Sequence, residues 1–198
     1  MSKVILASQS PRRRELLSLH GIDYETVVSK VDEKAIEALF DGQPSELVRK
    51  LAEAKADEVF ARTGTDKPII AADTVVEIDG QVLEKPRDEN EAAEMLRHLS
   101  GRTHAVHTGV AVIVGGKKET FTETASVTFR ELTDTEIAHY VASGQPMDKA
   151  GAYGIQGIAS KFISSINGDY FTVVGLPLCR LSTLLSDKFG IDFTDLSV

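Results

Sequence analysis

The chain has one cysteine among 198 residues. A lone thiol makes no internal disulfide, and Cys179, inside Leu176-Pro177-Leu178-Cys179-Arg180-Leu181, reads as a small buried hydrophobe rather than a nucleophile. Positive charge is also scarce. Against 30 Asp and Glu stand 22 Lys and Arg, a formal net charge of -8, which argues against broad nucleic-acid binding. A small polyphosphate remains compatible, because a few local cations can hold one against an acidic background. Long apolar runs are missing as well. No stretch approaches the roughly 20 residues of a membrane helix, and Val4-Ile5-Leu6-Ala7 after Lys3 is too short for a signal peptide's apolar region. The expected compartment is the cytoplasm. Internal repeats, low-complexity tracts, a P-loop spacing and a zinc cluster are all lacking.

What is there suits one domain spanning 1–198, with an apolar fraction of 42% that is ample for a core. Short strand-like runs alternate with helical patterns, which predicts an α/β or α+β architecture. Val4 to Ala7 reads as a buried strand entering a helix with Ser10 as N-cap and Pro11 at the first helical position. Further helices are predicted after Gln43-Pro44-Ser45, from Asp88 with Glu91 as a capping box, and from Thr133 with Glu136. A last helix carries Leu178, Leu181, Leu184, Leu185 and Phe189. Asp79-Gly80 and Gly115-Gly116 read as hairpin turns, and Asn167-Gly168-Asp169 as a turn between two late strands. Hairpins combined with a strand-to-helix entry predict a mixed sheet.

The informative residues are those that break good local structure. Arg12, Arg13 and Arg14 fill the first turn of the first helix, against its dipole, at about 0.3–1 kcal/mol each. With the free N–H groups of that turn they make an anion site; the plainer reading is a solvated basic patch, most of all for Arg14. Lys55 falls on the apolar stripe of Leu51 and Val59, where it either snorkels outward or reaches an inward charge. Asp73 lies in Ile69-Ile70-Ala71-Ala72-Asp73-Thr74-Val75-Val76, a costly place for a carboxylate without a cation or metal; structural ion pairing is the alternative. A two-residue turn at Asp79-Gly80 places Thr74 opposite Lys85 across the ladder, one position from Asp73. Asp32 and Glu33 could supply metal oxygens, though alone they look like a solvated pair. His104 and His107 fall on opposite strand faces and read as ordinary strand histidines. Gly151, Gly154 and Gly157 suggest a loop that approaches a ligand, with Gln156 able to read a base edge.

In order along the chain come Ser8-Gln9-Ser10-Pro11-Arg12-Arg13, Asp73-Thr74-Val75-Val76, Lys85-Pro86 and Gly101-Arg102-Thr103-His104. Asp148-Lys149-Ala150-Gly151-Ala152-Tyr153-Gly154-Ile155-Gln156-Gly157, Gly168-Asp169-Tyr170 and Val173-Val174-Gly175-Leu176-Pro177 come after them. This series resembles the Maf family of nucleotide pyrophosphatases over nearly the whole chain. The resemblance implies an elongated α/β fold with a mixed central sheet, flanking helices and two lobes around a nucleotide cleft, similar to the inosine triphosphatase fold. It implies hydrolysis of the α–β phosphate link with a divalent metal (Mg, Mn or Co). Asp73 matches the family's proposed proton acceptor, and Arg12, Thr74 and Gln156 match positions that bear on substrate choice in the branch acting on dTTP and UTP. Gln9, where glycine or alanine is frequent, and Phe171, where asparagine is frequent, are departures.

The expected reaction is metal-assisted attack of water on the α-phosphorus. Asp73 accepts the proton, and Arg13, Lys55 and Lys85 neutralise phosphate charge. Ser8, Arg12, Arg13, Thr74 and Gln156 are the expected substrate contacts, with Glu33 and Asp73 as metal ligands. A nucleotide-binding regulator of septum formation and a 7-methyl-GTP pyrophosphatase stay open as alternatives, as does a homodimer.

Overall fold

The computed structural model describes residues 4–196. Its strands are β1 (Val4–Leu6), β2 (Tyr24–Thr26), β3 (Ile69–Ile78), β4 (Gln81–Leu83), β5 (Thr103–Val114), β6 (Lys117–Phe129) and β7 (Ile163–Asn167). Its α-helices are α1 (Pro11–Leu19), α2 (Glu33–Ala38), α3 (Pro44–Thr63), α4 (Glu89–Leu99), α5 (Asp134–Ala142), α6 (Tyr170–Val174) and α7 (Leu178–Phe189). The strands form one sheet in the order β2-β1-β3-β5-β6-β7, with β4 paired to β3 off that path. β1 runs parallel to β2 and β3, whereas β3–β4 and β6–β7 are antiparallel, so the sheet is mixed as the hairpin signals predict. No helix among the described residues is long and apolar enough to cross a membrane.

The chain divides into two compact units. The first comprises Met1–Asp73, Thr108–Glu123 and Gly175–Val198. Its core packs Ile5 and Ala7 with Ala52, Ala56 and Val59 of α3, Ile69 and Ala71 of β3, and Ala111 and Ile113 of β5. The alanines let α3 lie close on the sheet, and the approach is tightest at Gly109, where a Cβ would sit 2.3 Å from the Val48 backbone. α3 starts cleanly: Gln43 and Glu46 form a reciprocal capping box, Pro44 takes the first turn, and Gly64 at φ 57 closes the helix.

The second unit comprises Thr74–His107 and Thr124–Val174. Leu96 and Leu99 of α4, Ile137 and Tyr140 of α5, and Val127 and Phe129 of β6 meet Tyr153 and Phe162 in its core. α5 has the predicted capping box between Thr133 and Glu136. At α4 only half of one forms. Asp88 accepts from Glu91 N, but the Glu91 carboxylate turns instead to the Arg87 backbone N–H and side chain.

The structure departs from the sequence pattern at three further places. Asn167-Gly168-Asp169 leads not to a second strand but to α6, because Asp169 Oδ2 accepts from both the N–H (2.7 Å) and the hydroxyl (2.9 Å) of Thr172. That start outweighs the strand preference of Thr172-Val173-Val174. Cys179 is exposed rather than buried: the buried face of α7 is Leu178, Leu181 and Leu185, and residue 179 is turned off it. β4 also ends at Leu83, so the ladder from Ile78–Gln81 closes at Val76–Leu83 and does not extend to Thr74 and Lys85.

Candidate active site

Parallel pairing of β1 and β3 sets the geometry. Ile5 and Leu6 pair with Ile69 and Ile70, and Ala7 N donates to Ile70 O at 2.8 Å. Both strands therefore end their parallel stretch together, with Ser8 beyond one and Asp73 beyond the other. The carboxyl end of parallel strands is where α/β sheets present ligand-binding groups. From there β1 turns directly into α1.

The start of α1 is built around Arg13, which is 8% exposed. Its Nε donates to Gly175 O at 2.7 Å, and its Nη1 donates to Ala72 O at 2.9 Å and Ser8 Oγ at 3.0 Å. Ser8 Oγ also accepts from Ser10 N at 3.2 Å, so one hydroxyl organises both the turn and the arginine. Ser10 itself makes no side-chain cap, and no acidic residue lies in the first turn. An anion is the natural complement of such a helix end. Burial pulls the Arg13 guanidinium down from its ordinary value; Asp73 opposes this, Arg12 adds to it, and Glu33 opposes it again. These couplings put both arginines and both carboxylates in one electrostatic neighbourhood. Arg14 is exposed, as expected.

Lys55 resolves inward. It is 7% exposed, and its Nζ lies 2.7 Å from Asp73 Oδ1 and 2.7 Å from Glu33 Oε2. α3 carries the lysine, β3 the aspartate, and the first turn of α2 the glutamate. Asp32, next to Glu33, is the N-cap of α2 and accepts from Ala35 N at 3.2 Å, so it has a structural task. α2 buries no side chain, which is why its pattern is invisible in the sequence. A carboxylate has about four acceptor sites, so one lysine contact leaves Asp73 capacity for a water or a metal.

Glu33 and Asp73 offer hard carboxylate oxygens, the donors that magnesium and manganese prefer. Both converge on the Lys55 ammonium, and the acceptor sites that contact leaves on each could face a divalent cation. No group of three or more acidic, histidine or cysteine side chains with metal-site geometry occurs among the described residues. Waters and phosphate oxygens would complete such a shell.

Thr74, Lys85 and Gln156 belong to the second unit. Thr74 follows Asp73 directly and is half-buried; Lys85, just after β4, and Gln156 are exposed. Of the glycines before Gln156, Gly151 has a packing reason. Its φ is +66, and a Cβ there would lie 2.9 Å from Val76. His104 and His107 are buried with separate partners, Tyr153 Oη at 2.7 Å and Thr124 Oγ1 at 2.8 Å, as ordinary strand histidines are. The backbone carbonyls of Ala72 and Gly175 that seat Arg13 have no signature in residue type; the only hint is a glycine, Gly175, at φ 118.

Residues 3–188 match the family described as Maf-like protein. A dTTP/UTP pyrophosphatase of Bacillus cereus is 52% identical over 194 residues, covering 98% of this chain and 99% of that protein. One of Bacillus anthracis is 51% identical with the same coverage. Among solved structures, a HAM1 protein from Coxiella burnetii superposes with a TM-score of 0.51 at 16% identity, covering 94% of this chain and all of that one. At that identity the likeness concerns the fold alone.

Proposed function

This chain belongs to the Maf family, and from that premise we propose that it hydrolyses dTTP or UTP to the nucleoside monophosphate and pyrophosphate. The relatives named for that activity are about half identical over nearly the full length, which supports the substrate class. The observation that carries the chemistry is the Lys55 ammonium held 2.7 Å from both Asp73 and Glu33, beside the arginine-lined start of α1. The cytoplasm, with its nucleotide pool, is where such an enzyme finds substrate.

The triphosphate tail lies against the start of α1, where the helix N–H groups and Arg12 balance its charge. Arg13, its Nε and Nη1 already committed to three oxygens, keeps Ser8 and the turn in place and adds its charge at short range. Asp73 takes a proton from the water that attacks the α-phosphorus, and the bond to the bridging oxygen of the β-phosphate breaks, releasing pyrophosphate. Lys55 stays within reach of Asp73 and offsets the negative charge that gathers on the phosphates. Lys85, Thr74 and Gln156, all of the second unit, are carried over from the family resemblance as candidate substrate contacts, Lys85 for phosphate and Thr74 and Gln156 for the nucleoside. A divalent cation held by Glu33 and Asp73 would add charge neutralisation on the phosphate oxygens.

A panel of dTTP, UTP, dCTP, ATP and 7-methyl-GTP with magnesium or manganese tests this. Pyrophosphate release with preference for the thymidine and uridine triphosphates is expected. Binding without turnover sinks the enzyme reading in favour of a nucleotide sensor, and preference for 7-methyl-GTP overturns the substrate.

A further inference from the structure

His104 and Tyr153 form a buried polar contact that the proposed reaction leaves unused. His104 stands on β5; Tyr153 opens the segment between the 3₁₀ turns 150–152 and 158–162. Nε2 and Oη are 2.7 Å apart, and the residues are 3% and 5% exposed. Their rings meet edge-on, with Phe129 4.8 Å from Tyr153. Burial holds His104 down to about 4 and pushes the Tyr153 hydroxyl upward, so both are neutral at pH 7.

Counting stranded groups decides where the proton sits. If Tyr153 donates to Nε2, only the Nδ1–H of His104 lacks a partner. In the reverse arrangement the phenol proton and the bare Nδ1 both lack one. The first strands fewer polar groups, so Tyr153 is the donor. Even so, a desolvated Nδ1 remains, and an apolar pair would fill the space without that cost. What a hydrogen bond adds to apolar packing is direction.

Direction matters here because the chain runs from Tyr153 to Gln156 in three residues. Gly151 N donates to Glu84 O at 3.2 Å and Gly154 N donates to Tyr140 Oη at 3.3 Å. Between them Ala152 is held at φ 59, an uncommon conformation for a residue with a Cβ. Three hydrogen bonds to three different segments thus clamp the backbone just before Gln156. Only one of them, from Tyr153 to His104, is made through a side chain of the loop itself.

We infer that the Tyr153–His104 hydrogen bond is a strut that places Gln156 against the pyrimidine base, making both residues positioning residues for substrate choice. This rests on the proposed pyrimidine nucleotide pyrophosphatase activity and on Gln156 reading the base. The test measures kcat and KM for UTP, dTTP and dCTP in Tyr153→Phe, His104→Gln, His104→Leu and Gln156→Ala. Inhibition by pyrophosphate, which has no base, is measured alongside. Tyr153→Phe should raise KM for UTP and dTTP about tenfold and narrow their advantage over dCTP, with kcat within about twofold and pyrophosphate inhibition unchanged. His104→Gln, which keeps an acceptor, should lie closer to wild type than His104→Leu.

An equal loss for every substrate together with weaker pyrophosphate inhibition overturns the strut, because that is what general loosening does. Unchanged discrimination in Tyr153→Phe with altered discrimination in Gln156→Ala also removes the strut, and leaves the base-reading role intact. If Gln156→Ala discriminates as wild type does, the reading beneath fails, and the strut with it.

Discussion

Lys55 and Asp73 each stand where burial alone would be costly, and each is tolerable because of the other. That mutual dependence makes Asp73→Asn informative. The amide keeps the shape and a contact for Lys55 but no longer takes a proton. Pyrophosphate release should fall roughly 10²–10⁴-fold while nucleotide still binds in an equilibrium titration. Near-normal turnover would remove Asp73 from the mechanism. Arg13 is a different kind of residue: its Nε and Nη1 are spread over Gly175 O, Ala72 O and Ser8 Oγ, a span that one tetrahedral ammonium does not cover. Arg13→Lys should leave at least one buried oxygen unpaired, costing roughly 1–3 kcal/mol. Both the melting temperature and kcat/KM should drop. A variant that melts and turns over normally would show that the carbonyl contacts are incidental.

Among the elements, those whose ends carry their own chemistry are legible in the sequence. α1, α3 and α5, and the hairpins at Asp79-Gly80 and Gly115-Gly116, sit where caps, proline and paired turn residues put them, and α7 follows its apolar stripe. α2 is not legible, because a helix that buries nothing leaves no apolar period to read. α6 reads as a strand because its residues answer to Asp169 and not to their own preference. At the site, the types of Arg13, Lys55 and Asp73 are readable from broken patterns and Ser8 from the family resemblance; the Ala72 and Gly175 carbonyls are not, since any residue has one. Gly109 is similarly silent in sequence. A methyl there would lie 2.3 Å from the carbonyl carbon and oxygen of Val48, so α3 would have to retreat about 1 Å to restore ordinary contact. Because α3 carries Lys55, Gly109→Ala should lower both stability, by about 3 kcal/mol, and kcat/KM. Gly64→Ala, at φ +57 with open space around it, should cost about 1–2 kcal/mol and leave turnover unchanged. If both variants behave alike, the α3–β5 approach does not set the position of Lys55.

For the whole molecule, the depressed carboxylates and His104 lean the same way as pH falls. Hydrogen bonds from Arg130 and Arg62 hold Glu136 and Glu58 down to about 2, and Arg102 and Arg87 lower Asp79 and Glu91. A carboxylate depressed in the fold stabilises it above the unfolded pKa, and loses that contribution as pH falls toward the folded one. His104 adds to this trend by a different route. Its folded value is about 4 against an ordinary 6.5, so between those limits the unfolded chain binds a proton that the native chain does not. Stability therefore declines as pH drops from 6.5 to 4, by on the order of 3 kcal/mol from this residue. Below 4 the native imidazole charges too and the loss levels off. Thermal melts from about pH 8 to 4 should show a plateau above about pH 7 and a falling limb beneath it. In His104→Gln the portion between about pH 6.5 and 4.5 should flatten, while the steeper loss below, which belongs to the carboxylates, should persist. An unaltered limb in that variant would mean that His104 titrates in the folded chain as it does in the unfolded one.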